Sequence, residues 1–213
     1  MKKYSVGISL LLCFLLLCGC RAAEPITSVD DSVKTTMQTT TQPQTQGTRK
    51  GKKLFFTDVQ AYTQTVSTVK TIEDINKIFE NTVGYPKQIK ESAFEVPLKK
   101  GFFLVPSFKE GTVEKITLDA GGWSDFDVRL SNGELWQIVV YHRRTDLDYE
   151  EGEWLETEEG VQMLYRYFDY GYRHWYYAMI EDIRINIHAT TQSPENIHSY
   201  VKNCAFEKVE IKQ

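Results

Sequence analysis

Cysteine is scarce in this sequence beyond its first twenty residues. Of the four cysteines, Cys13, Cys18 and Cys20 lie close to the N-terminus, and Cys204 lies alone in the remaining chain. A disulfide within residues 54–213 is therefore excluded. Because Cys204 continues the apolar stripe of a predicted helix, we expect a buried thiol and not a nucleophile.

An excess of basic residues is also missing. The chain carries 25 Lys and Arg against 29 Asp and Glu, which gives a formal net charge of −4 at pH 7. Loss of Lys2 and Lys3 with an N-terminal segment would remove two positive charges and make the net charge −6. Nucleic-acid partners need a basic surface, so we expect no nucleic acid to bind.

Recognisable catalytic and metal-binding motifs are absent. No HxH or HExxH spacing occurs among the histidines, which are His142, His174, His188 and His198. No GxSxG motif is present for a serine nucleophile. We therefore expect no metal ion, no cofactor and no catalytic residue that a motif would identify.

The apolar run near the N-terminus is too short to cross a membrane as a helix. Residues 10–17 are apolar apart from Cys13 and follow Lys2 and Lys3, whereas a span needs about 20 apolar residues. A positive end followed by a short apolar region is typical of an export signal. The next residues, Leu17-Cys18-Gly19-Cys20, resemble the bacterial lipobox, in which small residues precede a cysteine.

The lipobox resemblance implies a bacterial lipoprotein. Residues 1–19 would be the lipoprotein signal peptide, and Cys20 would carry the lipid because its thiol can form a thioether with diacylglycerol. The implied location is the extracytoplasmic face of the cell membrane, where acyl chains such as palmitate hold the protein. The long polar stretch that follows favours a Gram-positive bacterium. An ordinary secretory signal and an uncleaved anchor are the alternatives.

Residues 20–53 have a different composition from the rest of the chain. Residues 35–48 are almost entirely Thr and Gln, with Met37 as the apolar exception. Such a segment cannot bury enough apolar surface to fold. We expect a lipidated, disordered tether with an r.m.s. length of about 30 Å, followed by a single globular domain over residues 54–213.

Two helices are predicted in this domain. Thr71 is a typical N-cap, and apolar residues recur after it at helical spacing to about Asn81. Ser193-Pro194-Glu195 is typical of the start of a second helix, since proline favours the first helical position.

A hairpin is predicted from residues 124–131, which alternate between polar and apolar side chains, and from the return strand at residues 135–142. Asn132-Gly133 between them predicts a two-residue turn. In that register Trp136 lies across from Arg129.

Further strands are predicted at residues 161–168, 172–180 and 183–187, with others near residues 113–118 and 206–211. The expected fold class is α+β, with an antiparallel sheet of about six strands and two helices packed on one face.

The C-terminal part combines a Tyr-rich hairpin containing Trp175, an aliphatic strand at residues 183–187, and a helix opened by Ser193-Pro194-Glu195-Asn196-Ile197. This pattern resembles an uncharacterised extracytoplasmic domain of bacterial lipoproteins and anti-sigma factors. The resemblance implies a location outside the cytoplasm, and it implies no catalytic residues.

Residues 146–159 form an acidic segment. Asp146 and Asp148 resemble the start of an EF-hand loop, but Glu151 occupies the sixth position, where glycine is required. We expect a solvated connection between strands, with calcium binding as the alternative.

Aromatic residues crowd the second predicted hairpin. They are Tyr165, Tyr167, Phe168, Tyr170, Tyr172, Trp175, Tyr176 and Tyr177. Successive side chains of a strand point to opposite faces, so they cannot all enter one core. One interpretation is cross-strand aromatic packing, and the other is a stacking surface for sugar rings or a peptide.

The stacking interpretation predicts a ligand site formed by Trp136, Trp175, Tyr172, Arg129 and His142. Arg129 would hold the indole of Trp136 by a cation–π contact, and His142 would be a polar anchor. The expected function is that of a membrane-tethered lipoprotein with a non-catalytic ligand-binding or sensing domain. Its partner would be a wall glycan, a peptide or a protein. A cell-wall or glycan-acting enzyme with an unrecognised carboxylate site and a structural or assembly module are the alternatives.

Overall fold

A computed structural model describes residues 52–146, 151–168, 172–191 and 196–212. All of them fall in one compact unit of the chain, Thr41–Gln213. The predictions for Cys20 and for nearly all of the tether lie outside the described residues. The predicted helix start at residues 193–195 lies outside them as well.

The described residues form ten strands and four helices. The strands are β1 (Lys53–Phe56), β2 (Phe102–Phe108), β3 (Gly111–Asp119), β4 (Trp123–Leu130), β5 (Leu135–Tyr141), β6 (Glu153–Glu156), β7 (Gln162–Phe168), β8 (Arg173–Ile180), β9 (Ile183–Thr190) and β10 (Cys204–Glu210). The helices are α1 (Val59–Val66), α2 (Ile72–Phe79), α3 (Glu95–Lys100) and α4 (Ile197–Lys202), with a 3-10 turn at Glu91–Ala93. No helix in this part of the chain is long and apolar enough to span a membrane.

Eight strands form one antiparallel sheet in the order β1-β3-β4-β5-β9-β8-β7-β6, and β10 pairs with β2 in a second sheet. The predicted fold, a sheet of about six strands with two helices, is therefore wrong. The edge strands β1 and β6 have only four residues each, too few for a clear alternation. The two additional helices have weak sequence signals, because α3 contains Pro97 and α1 contains several Thr and Gln residues.

The predicted helix after Thr71 is present as α2. The Thr71 side chain accepts a hydrogen bond from the amide of Asp74, and the Asp74 carboxylate accepts one from the amide of Thr71. This capping box satisfies two amides that the first helical turn leaves free, so it fixes where α2 begins.

The hairpin of β4 and β5 has a different register from the predicted one. The amide of Leu130 donates to the carbonyl of Glu134 at 2.9 Å, which closes a three-residue loop ending at Gly133 with φ of +88°. Trp136 consequently lies opposite Val128 and not opposite Arg129. A shift of one residue moves a side chain to the other face of a sheet, so Trp136 joins the core.

The core lies on one face of the eight-stranded sheet. Side chains from all four helices and from β2 pack there against the sheet, and examples are Tyr62, Phe79, Phe94, Phe103, Phe126, Ile138, Ile187 and Val201. We call the opposite side of the sheet the outer face.

Candidate functional site

The outer face carries a polar and aromatic row across five strands. The cross-strand neighbours are Asp127 of β4, Gln137 of β5, His188 of β9, Trp175 of β8 and Arg166 of β7. The ring of Trp175 lies 4.8 Å from that of His188. Burial lowers the pKa of His188, and the positive charges of nearby arginines lower it further. At neutral pH His188 is therefore an uncharged aromatic partner of Trp175.

Arg184 fixes the neighbouring part of the outer face. Its guanidinium lies 5.4 Å from the ring centre of Tyr141 and 5.7 Å from that of Tyr177. Its Nε donates to Oδ1 of Asn186 at 3.0 Å, and Nδ2 of Asn186 donates to the hydroxyl of Tyr141 at 3.3 Å. These side chains hold one another, so this part of the face is preorganised.

A cluster of tyrosines and histidines joins β7 and β8 to α4 on the core side. The hydroxyl of Tyr165 lies 2.9 Å from Nδ1 of His174, and that of Tyr176 lies 3.0 Å from Nδ1 of His198. Burial lowers the pKa of His174 and raises the pKa of Tyr176. The tyrosines therefore stay neutral, and the cluster supports Tyr167, whose ring lies 4.8 Å from that of His174.

Exposed aromatic rings are concentrated at this end of the sheet. Trp154 is 57% exposed, Tyr167 is 45% exposed and Tyr172 is 49% exposed. They are the large aromatic side chains with high exposure among the residues that the structure describes. Trp154 belongs to β6, Tyr167 belongs to β7, and Tyr172 directly precedes β8.

A depression of about 330 Å³ lies beside the ring of Tyr167. Its lining residues are Glu151, Gly152, Glu153, Tyr165, Arg166 and Tyr167. A larger opening of about 560 Å³ lies between the start of α2 and α3, but its lining of Lys, Glu, Thr, Ile and Leu side chains contains no aromatic ring. We call the part of the sheet that carries Trp154, Tyr167 and Tyr172 the aromatic edge of β6, β7 and β8. It is the better candidate for stacking on a ligand.

The predicted site residue Trp136 is not available to a ligand. It is completely buried, and its ring meets those of Phe108 and Tyr200 edge to face. Its Nε1 donates to the carboxylate of Glu134 at 3.2 Å. The expectation of an open indole face at this position is wrong, because the three-residue turn places Trp136 on the core side.

His142, the predicted polar anchor, is also completely buried. Its ring stacks on Phe94, with the ring centres 5.5 Å apart, and burial lowers its pKa to about 3. Its Nε2 lies 2.8 Å from Oγ of Ser124. This serine–histidine pair is closed to a substrate, so it carries no support for catalysis.

The structure separates the other predicted site residues. Arg129 forms a bidentate ion pair with Glu114, with N–O distances of 3.0 and 3.1 Å. Trp175 lies on the outer face, whereas Trp136 lies on the core face. Only Trp175 and Tyr172 lie near the aromatic edge.

The thiol of Cys204 lies in the core, where burial raises its pKa. The prediction of a buried thiol is thus confirmed. Within the four described ranges, no group of three His, Cys, Asp or Glu side chains could hold a metal ion. Residues 147–150, in the middle of the acidic segment, lie outside those ranges.

Comparisons with protein-family models, with curated proteins and with solved structures found no match. The sequence analysis placed Tyr167 in an aromatic hairpin, but it included neither Tyr167 nor Trp154 among the predicted site residues. A tryptophan between Glu153 and Leu155 in an otherwise acidic segment was the available signal.

Proposed function

We propose that this chain is a lipid-anchored extracytoplasmic protein whose folded domain binds a ligand at the aromatic edge of β6, β7 and β8 without catalysing a reaction. The exposure of Trp154, Tyr167 and Tyr172 carries this proposal. Tyr and Trp combine a large contact area with a polar tip, which suits them to stacking on sugar rings or on a peptide.

The surroundings of Tyr167 support binding more than catalysis. Tyr167 rests on His174, and His174 is held by Tyr165, so the edge keeps its shape without a ligand. Preorganised side chains lose little freedom on binding. The histidines of the cluster use their Nδ1 atoms in hydrogen bonds with tyrosines, and the nearby depression is wide and shallow.

The anchor is proposed from Leu17-Cys18-Gly19-Cys20. Metabolic labelling with a palmitate analogue tests it in bacterial cells. The wild type should be labelled, and a Cys20→Ala variant should not. Cys18→Ala is the matched control, because it removes a thiol two residues away and keeps a small side chain. Equal labelling of the wild type and Cys20→Ala would overturn the anchor.

Ligand binding is tested by thermal shift on the full chain in detergent, against wall-glycan fragments and short peptides. A ligand that binds the native state raises the melting temperature. The triple variant Trp154→Ala, Tyr167→Ala, Tyr172→Ala should lose the shift. Leu135→Ala, at an exposed apolar residue of β5, should keep it. An unchanged shift in the triple variant would exclude the aromatic edge as the binding site.

A further inference from the structure

A pocket of about 390 Å³ lies between residues 86–93, the turn after β3 and the segment after β5. Its volume is typical of small-molecule sites. Unlike the two openings described above, it has no acidic side chain among the described residues of its lining. We call it the basic pocket, and its lining includes Pro86, Ile89, Lys90, Ala93, Ala120 and Arg143.

Backbone contacts fix the walls of the basic pocket. The amide of His142 donates to the carbonyl of Gly122 at 2.8 Å, which holds the segment after β5 against the turn after β3. The amide of Ile89 donates to Oδ1 of Asn76 at 2.9 Å, which ties the third wall to α2. The walls therefore keep their positions without a ligand, and a preorganised pocket loses little freedom on binding.

The two cationic side chains of the basic pocket are exposed. Neither Lys90 nor Arg143 forms an ion pair with another described residue. The guanidinium of Arg143 lies 5.9 Å from the ring centre of Trp123. A guanidinium that contacts a ring through its face keeps the N–H donors of its plane for an oxyanion.

The acidic residues adjacent to the lining residues have other partners or face another opening. Glu91 lines the opening between α2 and α3. Asp119 is 5% exposed, pairs with Lys53 at 3.6 Å and accepts a hydrogen bond from the amide of Gly121 at 2.7 Å. The two positive charges of the basic pocket are therefore available to an anionic ligand.

The charge and the walls of the basic pocket indicate the class of ligand. Two cations on different chain segments match a group with about two negative charges. A phosphate monoester carries about −1.5 to −2 at pH 7, whereas a carboxylate carries a single charge. Arginine binds phosphate oxygens through paired N–H donors, and lysine binds them as a point charge. Ile89, Ala93 and Ala120 supply an apolar wall for the organic part of such a ligand.

We propose that the basic pocket binds a small phosphate monoester, with the phosphate between Lys90 and Arg143 and the organic group against Ile89, Ala93 and Ala120. This site is separate from the aromatic edge, because the two share none of their described residues and belong to different strands. The proposal goes beyond the proposed function and does not depend on it.

The test is an NMR titration of the full chain in detergent and in phosphate-free buffer. The probe is phenyl phosphate, and the reporter is the indole N–H signal of Trp123, whose ring lies against Arg143. This signal should shift and saturate, whereas that of Trp154 at the aromatic edge should not shift. Benzyl alcohol, which keeps the ring without a charge, should give no shift. Benzoate, with its single charge, should bind more weakly than phenyl phosphate.

Matched variants separate the basic pocket from general attraction between an anion and basic side chains. The double variant Lys90→Gln, Arg143→Gln should weaken binding of phenyl phosphate by about tenfold or more. The double variant Lys87→Gln, Arg144→Gln removes the same charge at exposed residues that are not part of the lining, and it should leave affinity unchanged. Arg143→Lys keeps the charge but loses the paired donors, so it should weaken binding less than the first double variant. Thermal unfolding checks that each variant is folded.

Three results would overturn the proposal. They are the absence of a saturable shift of the Trp123 signal, equal weakening by the two double variants, and binding of benzoate or benzyl alcohol as tight as that of phenyl phosphate. The triple variant Trp154→Ala, Tyr167→Ala, Tyr172→Ala should bind phenyl phosphate as the wild type does. Failure of the phosphate site would therefore leave binding at the aromatic edge standing, and failure at the aromatic edge would leave the phosphate site standing.

Discussion

The Oγ atom of Ser124 lies 2.8 Å from Nε2 of His142, and neither residue exposes any surface to solvent. The hydroxyl of Tyr62 reaches the same Oγ atom, also at 2.8 Å. Tyr62 belongs to α1 and Ser124 to β4, so the chain of hydrogen bonds ties a helix to the sheet. His142, which the sequence predicted as a polar anchor for a ligand, is therefore a buried part of the core.

The first prediction is that acid destabilises the fold through His142. Burial lowers the pKa of His142 to about 3, whereas the unfolded chain protonates a histidine near pH 6.5. Between these values the unfolded state binds one more proton, so stability is lost as pH falls. Each unit by which the pH falls within this window should lower the free energy of unfolding by about 1.4 kcal/mol. Urea unfolding at a series of pH values measures the slope.

The variant His142→Gln isolates this contribution. Glutamine keeps a polar group near Ser124 but does not titrate, so the slope below pH 6 should be smaller than in the wild type. Burial also lowers the pKa values of His174 and His188, so part of the slope should remain. An NMR titration in which the folded protein protonates His142 near pH 6 would contradict the prediction.

The second prediction compares two glycines that share a backbone conformation. Gly122 has φ of +91°, and Gly133 has φ of +88°. A Cβ atom at Gly122 would lie 1.9 Å from the carbonyl oxygen of Ala93, whereas nothing lies within 4 Å of one at Gly133. Gly133→Ala should cost about 1–2 kcal/mol of conformational strain. Gly122→Ala should cost at least about 2 kcal/mol more because backbone must move.

Chemical denaturation of the two glycine variants side by side measures the difference. The conformational strain is common to both variants. The additional loss of stability in Gly122→Ala therefore measures the effect of the close contact between the turn before β4 and the 3-10 turn at Glu91–Ala93. Similar losses of stability in the two variants would show that these turns do not touch.

The sequence contained enough information for the elements with strong local signals. Thr71 predicted the start of α2, and the alternation of Ile183, Ile185 and Ile187 predicted β9. Both signals act within a few residues. β1 and β6 have four residues each, and they become strands by pairing with β3 and β7, which no local pattern shows.

The candidate site was harder to predict because exposure depends on distant parts of the chain. Asn132-Gly133 identified the first hairpin, but loop length decides the register, and one residue moved Trp136 into the core. Tyr167 and Tyr176 looked equivalent in the aromatic hairpin. α4 brings His198 onto Tyr176, while Tyr167 stays accessible at the edge of the sheet.

The last prediction concerns the light emission of Trp136 and Trp154. The chain has four tryptophans, so variants that keep one and replace the other three by phenylalanine report each site separately. Trp136 is fully buried against Phe108 and Tyr200, so its emission should be blue-shifted and resistant to acrylamide. Trp154 is 57% exposed and should be quenched readily. The variant Trp136→Ala should lower the free energy of unfolding by about 3–5 kcal/mol, whereas Trp154→Ala should change it by no more than about 0.5 kcal/mol. Ready quenching of Trp136 in its folded single-tryptophan variant would contradict the three-residue turn and the register that places this ring in the core.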